Sequence, residues 1–302
     1  MANWLDVWIM SGIVHTFDKL LYPLGIRGVG TLTSGVARWR KHPLREYKFQ
    51  TGGSFFYPNY DSYWSNYLLT GRPYEPDISA LLRRVIAERI PFGFLDGGAN
   101  FGFWSCFLAQ WPHLVDPIVA IEPTPKTFEI LSYNATRTSG RIQCLRAAIS
   151  DVDGADVVLS IGAHHAANHL VIEATDDRLS QTAHVSSVTV DGTIAKFFRP
   201  DQLTVIKLDV EGLEAYAFAG AEEALDSGNP VIFECHGSDR ECVATRAALS
   251  LGLSTYLLSG SSNPIPIAEI SELCRLKTNP GMGYNLVATR PGSRFESVFL
   301  SH

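Results

Sequence analysis

From Phe92 onward, short apolar runs alternate with stretches in which apolar residues recur every three or four positions, so the two periods predict strands and helices in turn. Strands are expected over 92–95, 118–121, 142–147, 205–208 and 231–234, with later ones near 255–258 and 286–289. Helices are expected over 101–110, 125–137, 211–224 and 239–251. This order is the signature of a doubly wound α/β fold, a parallel sheet covered by helices on both faces. Upstream the pattern changes: 46–58 alternates around Thr51-Gly52-Gly53 and reads as a hairpin, while 61–69 and 75–88 read as helices. Between 151 and 200 the alternation lapses into short strands, 157–159 and 185–190, around a His- and Ala-rich loop at 162–169. The chain is therefore expected to carry an N-terminal extension and lid over 1–90, then an α/β domain over 91–302 with an insertion near 151–200.

At 302 residues and 46% hydrophobic, the chain can bury one substantial core. A net charge of -6 argues against a nucleic-acid partner held by phosphate neutralisation, because basic residues cluster only at Arg38-Trp39-Arg40-Lys41-His42. Five cysteines without a C-x-x-C pair indicate neither a zinc ribbon nor a disulfide framework, so a reducing, cytoplasmic setting is expected. The N-terminus sustains no apolar run long enough for a membrane span; Trp4, Trp8, Phe17, Leu20, Leu21 and Leu24 suggest instead a helix whose apolar face packs on the body, on a second subunit of a homo-oligomer, or on a membrane surface.

In an open parallel sheet, ligands bind beyond the carboxyl ends of the strands. The first strand delivers Asp96 and runs through Gly97, Gly98, Ala99, Asn100, Phe101 and Gly102 into a helix, a turn of small residues whose backbone can approach a ligand closely. The order Gly98-x-Asn100-x-Gly102 departs from the G-x-G-x-x-G of dinucleotide folds, and with Glu122 at the second strand tip it reads as a cradle for S-adenosyl-L-methionine, Glu122 taking the ribose hydroxyls. Asp151, after the third strand, is either an acceptor for an adenine amino group or a turn acid before Asp153-Gly154. The fourth strand ends in Asp209, with Glu211 and Glu214 close behind; Glu214 also suits a helix first turn. Lys207 should be buried and needs a carboxylate partner, Asp209 or Glu234. The fifth strand puts Glu234 and His236 on one face, where with Asp209 they would provide a general base for a hydroxyl acceptor or an oxygen-rich site for Mg²⁺ or Mn²⁺. His164, His165 and His169 offer acceptor contacts, and the aromatic run from Phe55 to Tyr67 either walls a pocket for a sugar ring or macrocycle or packs as a lid core.

Four segments in this order, Phe94-Leu95-Asp96-Gly97-Gly98-Ala99-Asn100-Phe101-Gly102, Ile121-Glu122-Pro123, Ile206-Lys207-Leu208-Asp209-Val210-Glu211-Gly212-x-Glu214 and Glu234-x-His236, resemble the FkbM-type S-adenosylmethionine-dependent methyltransferases, over roughly 57–290. The resemblance implies a class I methyltransferase sheet of seven strands, the last antiparallel, and O-methylation of a small-molecule or glycan acceptor: a sugar, a polysaccharide-linked residue or a polyketide. It implies that Gly98, Asn100, Gly102 and Glu122 hold the cofactor and that Asp209, Glu211 and His236 face the acceptor. N-methylation of a small amine and a non-catalytic partner role are the competing readings. Gly97 stands where the family more commonly has an apolar residue, which should loosen packing under the loop.

Overall fold

The computed structural model describes residues 43–69, 71–160, 169–171, 182–210, 212–260 and 263–300, and the chain divides into two compact units, Met1–Pro76 and Asp77–His302. The expected amphipathic helix before Pro43, the basic cluster at Arg38 to His42, the loop residues His164 and His165, and Glu211 lie outside the described residues.

The first unit contains the expected hairpin, β1 (Leu44–Lys48) paired antiparallel with β2 (Ser54–Pro58), followed by α1 (Ser62–Leu68). Asp61 starts this helix, its carboxylate accepting from the Trp64 amide at 3.0 Å, the N-cap that a helix with unpaired first-turn amides requires. The aromatic run packs on itself: the Phe55 and Trp64 ring centroids lie 4.9 Å apart, Trp64 and Tyr74 4.6 Å, and Phe55, Tyr57 and Trp64 are buried. Phe55, Tyr57 and Trp64 thus adopt the packed role, while Tyr60 and Tyr63 remain exposed.

Helix α2 (Pro76–Ala87) leads into the second unit and buries Ile78, Leu81, Leu82 and Val85, a stripe at helical spacing. Then come β3 (Phe92–Gly97), α3 (Phe103–Leu108), β4 (Val115–Ile121), α4 (Pro125–Thr136) and β5 (Ile142–Leu145). The inserted stretch holds β6 (Ala148–Ile149), β7 (Asp156–Ser160), β8 (His169–Val171), β9 (Thr182–Val188) and α5 (Val190–Phe197). The regular alternation resumes with β10 (Thr204–Leu208), α6 (Glu214–Ala219), α7 (Glu222–Asp226), β11 (Val231–His236) and α8 (Val243–Ser250). The chain closes with β12 (Ser254–Leu257), β13 (Ile265–Ile267), α9 (Ile270–Leu276), β14 (Gly283–Thr289) and α10 (Arg294–Leu300).

Eight strands form the main sheet in the order β13-β12-β14-β11-β10-β3-β4-β5. The five from β11 to β5 are parallel, and β14 inserts antiparallel between β11 and β12, as expected for the last strand of a class I methyltransferase sheet. The extra strand is β13, an antiparallel edge. From β3 the chain builds outward to β5 in one direction and then, through β10, in the other, so the topological switch point lies between β3 and β10. Every residue of β3 and β10 is buried, which is why both read as mainly apolar runs and why their polar members, Asp96 and Lys207, need partners.

Three expectations are corrected. The strand expected over 142–147 divides, because after Leu145 the chain leaves the main sheet and β6 joins β9 in a second, four-stranded sheet ordered β6-β9-β7-β8. Gly97 does not loosen the packing: the Ile149 side chain fills the space a Cβ would need, against Leu208. The helix expected over 211–224 breaks at Gly220, which packs so closely on the Ser150 carbonyl that a Cβ would collide, and α7 restarts with its Glu223 and Ala224 amides capped by Asp191.

Candidate active site

The turn after β3 is a tightly constrained stretch of backbone. Gly98, Asn100 and Gly102 take positive φ angles of 69°, 54° and 84°, left-handed conformations that glycine and asparagine tolerate best. Gly98 is also a site of close approach, since a Cβ there would run into the carbonyl of Asp209 across the switch point. The Asp209 amide in turn donates to the Gly97 carbonyl at 3.0 Å, so the two central strand tips are tied backbone to backbone.

Side chains from three elements hold this turn in place. Glu122, buried at the tip of β4, accepts from the Asn100 amide at 3.0 Å through one oxygen and from the Thr124 amide at 2.9 Å through the other. Burial pushes its carboxyl up to about 7, against the pull of those amides. Asn134 on α4 donates to the Phe101 carbonyl at 2.8 Å, and Ser105 on α3 donates to Asp96 Oδ2 at 2.6 Å. Asp96 Oδ1 is buried and has no hydrogen-bond partner among the described residues, and burial raises this carboxyl too. A cradle closed to side chains beside an orphaned carboxylate oxygen fits S-adenosylmethionine, with its positively charged sulfonium and amino groups.

The acidic groups beyond β10 and β11 follow from register. Lys207 pairs with Asp96 on one side and Ile232 on the other, so Asp209 and Glu234, each two positions further on, stand on the same sheet face. Opposite Glu234 on β14 is Asn285, whose amide reaches Asp77 on α2 at 3.1 Å. Lys207 is almost fully buried and its ammonium lies 3.2 Å from Asp209, the partnership its burial demands. Glu234 is pushed up to about 7, chiefly by burial and then by the charge of Asp209, with Lys207 opposing. Its carboxylate lies along β14 at Gly283, in space a side chain there would fill.

Other expected residues are placed differently. His236 is exposed and turned into its own loop, Nδ1 lying 2.6 Å from Ser238 Oγ. Among the described residues no three His, Cys, Asp or Glu side chains come together as metal ligands, so the expected set of Asp209, Glu234 and His236 is not assembled. The reason is local: Lys207 engages Asp209, Glu234 follows Gly283, and Ser238 holds His236. Asp151 is exposed and accepts from Ser150 Oγ, whereas its neighbour Asp153 binds the Thr189 amide and hydroxyl at 2.7 and 2.9 Å and so fixes the start of α5. Glu214 is buried, with Oε1 accepting from the Val210 and Gly212 amides, which accounts for it as a loop and helix-start residue. Sequence reading missed Ser105, Thr124, Asn134, Asp77 and Asn285; a serine following G-x-x, one helical step into α3, was the one local signal among them.

The family described as the methyltransferase FkbM domain matches residues 96–252, from the acid near the end of β3 to just past the helix after β11, just over half of the chain. The chain belongs to this family. It is similar to the hexuronic acid methyltransferase AglP of Haloferax volcanii, 28% identical over 162 residues, which cover 54% of this chain and 63% of AglP. The chain thus spans less than two thirds of that relative. Among solved structures it is similar to the methyltransferase FkbM from Methylobacillus flagellatus, with 13% identity and a TM-score of 0.41 over 94% of this chain and 60% of that one. A precorrin-6y C5,15-methyltransferase from Geobacter metallireducens matches at 9% identity and a TM-score of 0.40, over 71% of this chain and 87% of that one.

Proposed function

We propose that this protein is a cytoplasmic S-adenosylmethionine-dependent O-methyltransferase that acts on a hydroxyl of a sugar or glycan. The observation that carries the reading is the juxtaposition, at the switch point, of the closed Gly98 turn with Asp209 and Glu234. The family supports methyl transfer, and the hexuronic acid named for AglP supports a carbohydrate acceptor.

Gly98, Asn100 and Gly102 would receive the cofactor along the turn, with Glu122 at its ribose and Asp96 at its positively charged end. When bound, the cofactor supplies an electrophilic methyl group. An alkyl hydroxyl is almost entirely protonated at neutral pH, so its oxygen needs a proton acceptor as it attacks. Glu234 has the properties required: it is half-buried, stands two residues before the end of β11, and its carboxyl is held at about 7, near neutral pH. In this reading Glu234 takes the proton, and Asp209, anchored by Lys207, orients the hydroxyl and raises the basicity of Glu234 through its charge. Thr124 and Asn134 keep the turn in shape between turnovers.

The test is incubation of the full chain with methyl-labelled S-adenosylmethionine and a panel of glycosides, uronic acids and amino sugars. The expected product gains one methyl as an ether on a former hydroxyl oxygen of the sugar, located by mass spectrometry and NMR. Label found only on nitrogen would replace this reading with N-methylation, and no transfer to any acceptor alongside tight cofactor binding would favour a non-catalytic role.

A further inference from the structure

A second cluster of reactive side chains lies where β11, α8 and α9 meet, apart from the cradle. Cys242, the residue that starts α8, and Cys274 on α9 place their sulfurs 3.9 Å apart. Lys277 enters the same cluster, its ammonium 3.4 Å from Cys242 Sγ and 3.1 Å from Cys235 Sγ, and also donates to the Asp239 carbonyl. Cys242 is fully buried while Cys274 is exposed, so solvent reaches one sulfur of the pair and not the other. Cys242 also holds a φ of 48°, a left-handed conformation that costs a side-chain-bearing residue energy and persists only when the surroundings impose it.

We propose that Cys242 and Cys274 form a thiol modification site that reacts with small-molecule disulfides and closes into an intramolecular disulfide. Bonded sulfurs sit about 2.0 Å apart, so closure needs an approach of roughly 2 Å, the scale of a side-chain rotation. The exposed Cys274 thiolate attacks one sulfur of the reagent, forming a mixed disulfide and expelling a small thiolate that takes up a proton. Cys242 gives up its proton and attacks Cys274 Sγ; the bond to the reagent's remaining half breaks, and a second small thiol departs. Two protein thiols lose two electrons and two protons, and the reagent gains both. Lys277 supports the second step by stabilising a negative charge on Cys242, against burial and Cys235, which hold that thiol above its ordinary range. The product would fix α9 to the start of α8 and restrain the loop that follows His236.

The test treats the native full-length chain with glutathione disulfide at mildly alkaline pH, quenches by acid, and maps tryptic peptides. The expected result is loss of two titratable thiols, a mass lower by two hydrogens, and a reducible link between peptides 241–246 and 247–275. In Cys242→Ala the same treatment should leave glutathione on Cys274, and in Cys274→Ser the link should disappear. Glutathione resting on Cys274 of the native chain without closure, or a link that joins other cysteines, would overturn the proposal. So would equal yields of the 242–274 link in native and urea-unfolded protein, because the fold would then contribute no proximity.

Discussion

The turn after β3 and the acidic edge of β10 and β11 face each other across one switch point and are built on opposite principles. The turn is a backbone structure whose polar groups are nearly all satisfied: Glu122, Asn134 and Ser105 each hold one part of it, and Gly98 leaves no space unfilled. The acidic edge is a side-chain structure held under electrostatic stress, with Asp209 and Glu234 repelling each other around one buried ammonium. A preorganised cradle binds the same cofactor in every turnover, whereas a stressed carboxylate is poised to exchange a proton. Shape should therefore govern cofactor affinity, and charge should govern turnover.

The sharpest way to separate the two regions is Glu234→Gln. It should lower turnover on the true acceptor by about 10²–10⁴-fold, the usual contribution of a positioned base, and leave cofactor affinity within a factor of about two. The native enzyme's turnover should also rise with pH through about 7, as Glu234 loses its proton, and the variant should lack that rise. A variant with full turnover and the same pH profile would move the base elsewhere.

Lys207→Met should come next, because it strands Asp209 and the buried Asp96 without their cation; stability should fall by about 3 kcal/mol in urea titration. An unchanged unfolding midpoint would mean that solvent, and not Lys207, balances these carboxylates. Glu122→Ala removes the clamp on Asn100 and should weaken S-adenosylhomocysteine binding about tenfold or more in calorimetry, with turnover at saturating cofactor largely kept. Equal losses in both quantities would blur the division between the regions.

The smallest effect is on stability against pH. Glu234 is raised from 4.5 to about 7 in the folded chain, so between these values the folded state binds more protons than the unfolded one. Its contribution to stability should be lost as pH rises through that window and stay lost above it, by about 1 kcal/mol once solvent screening of this half-buried group is allowed for. Urea titrations at several pH values should show a shallower decline in Glu234→Gln than in the native chain.

These regions were also unequally legible in the sequence. The turn could be read because left-handed backbone and close approach restrict the residues allowed, so Gly98, Asn100 and Gly102 announce it, as the acid ending β4 announces Glu122. That Lys207 would be buried against a carboxylate was readable too, but the choice of Asp209 over Glu234 came only with the structure. Glu234 was readable as a candidate beside Asp209, but its surroundings were not, because they depend on β14 inserting beside β11 and presenting Gly283 and Asn285, residues some 50 positions away. His236 misled for a related reason: its neighbour Ser238, an ordinary loop residue, turns it out of the cluster. The departure of β6 from the main sheet was hidden too, since an apolar run does not specify which sheet it joins.

The most direct measurement is calorimetric titration of the native chain and of Gly98→Ala with S-adenosylhomocysteine, with thermal unfolding recorded for both. The native chain should bind with micromolar affinity, on the order of −8 kcal/mol, and a Gly98→Ala variant that still unfolds cooperatively should bind at least a hundredfold more weakly, because its new methyl displaces the turn from Asp209. Absence of binding to the folded native chain, or undiminished affinity in the folded variant, would contradict the assignment of this turn as the cofactor cradle.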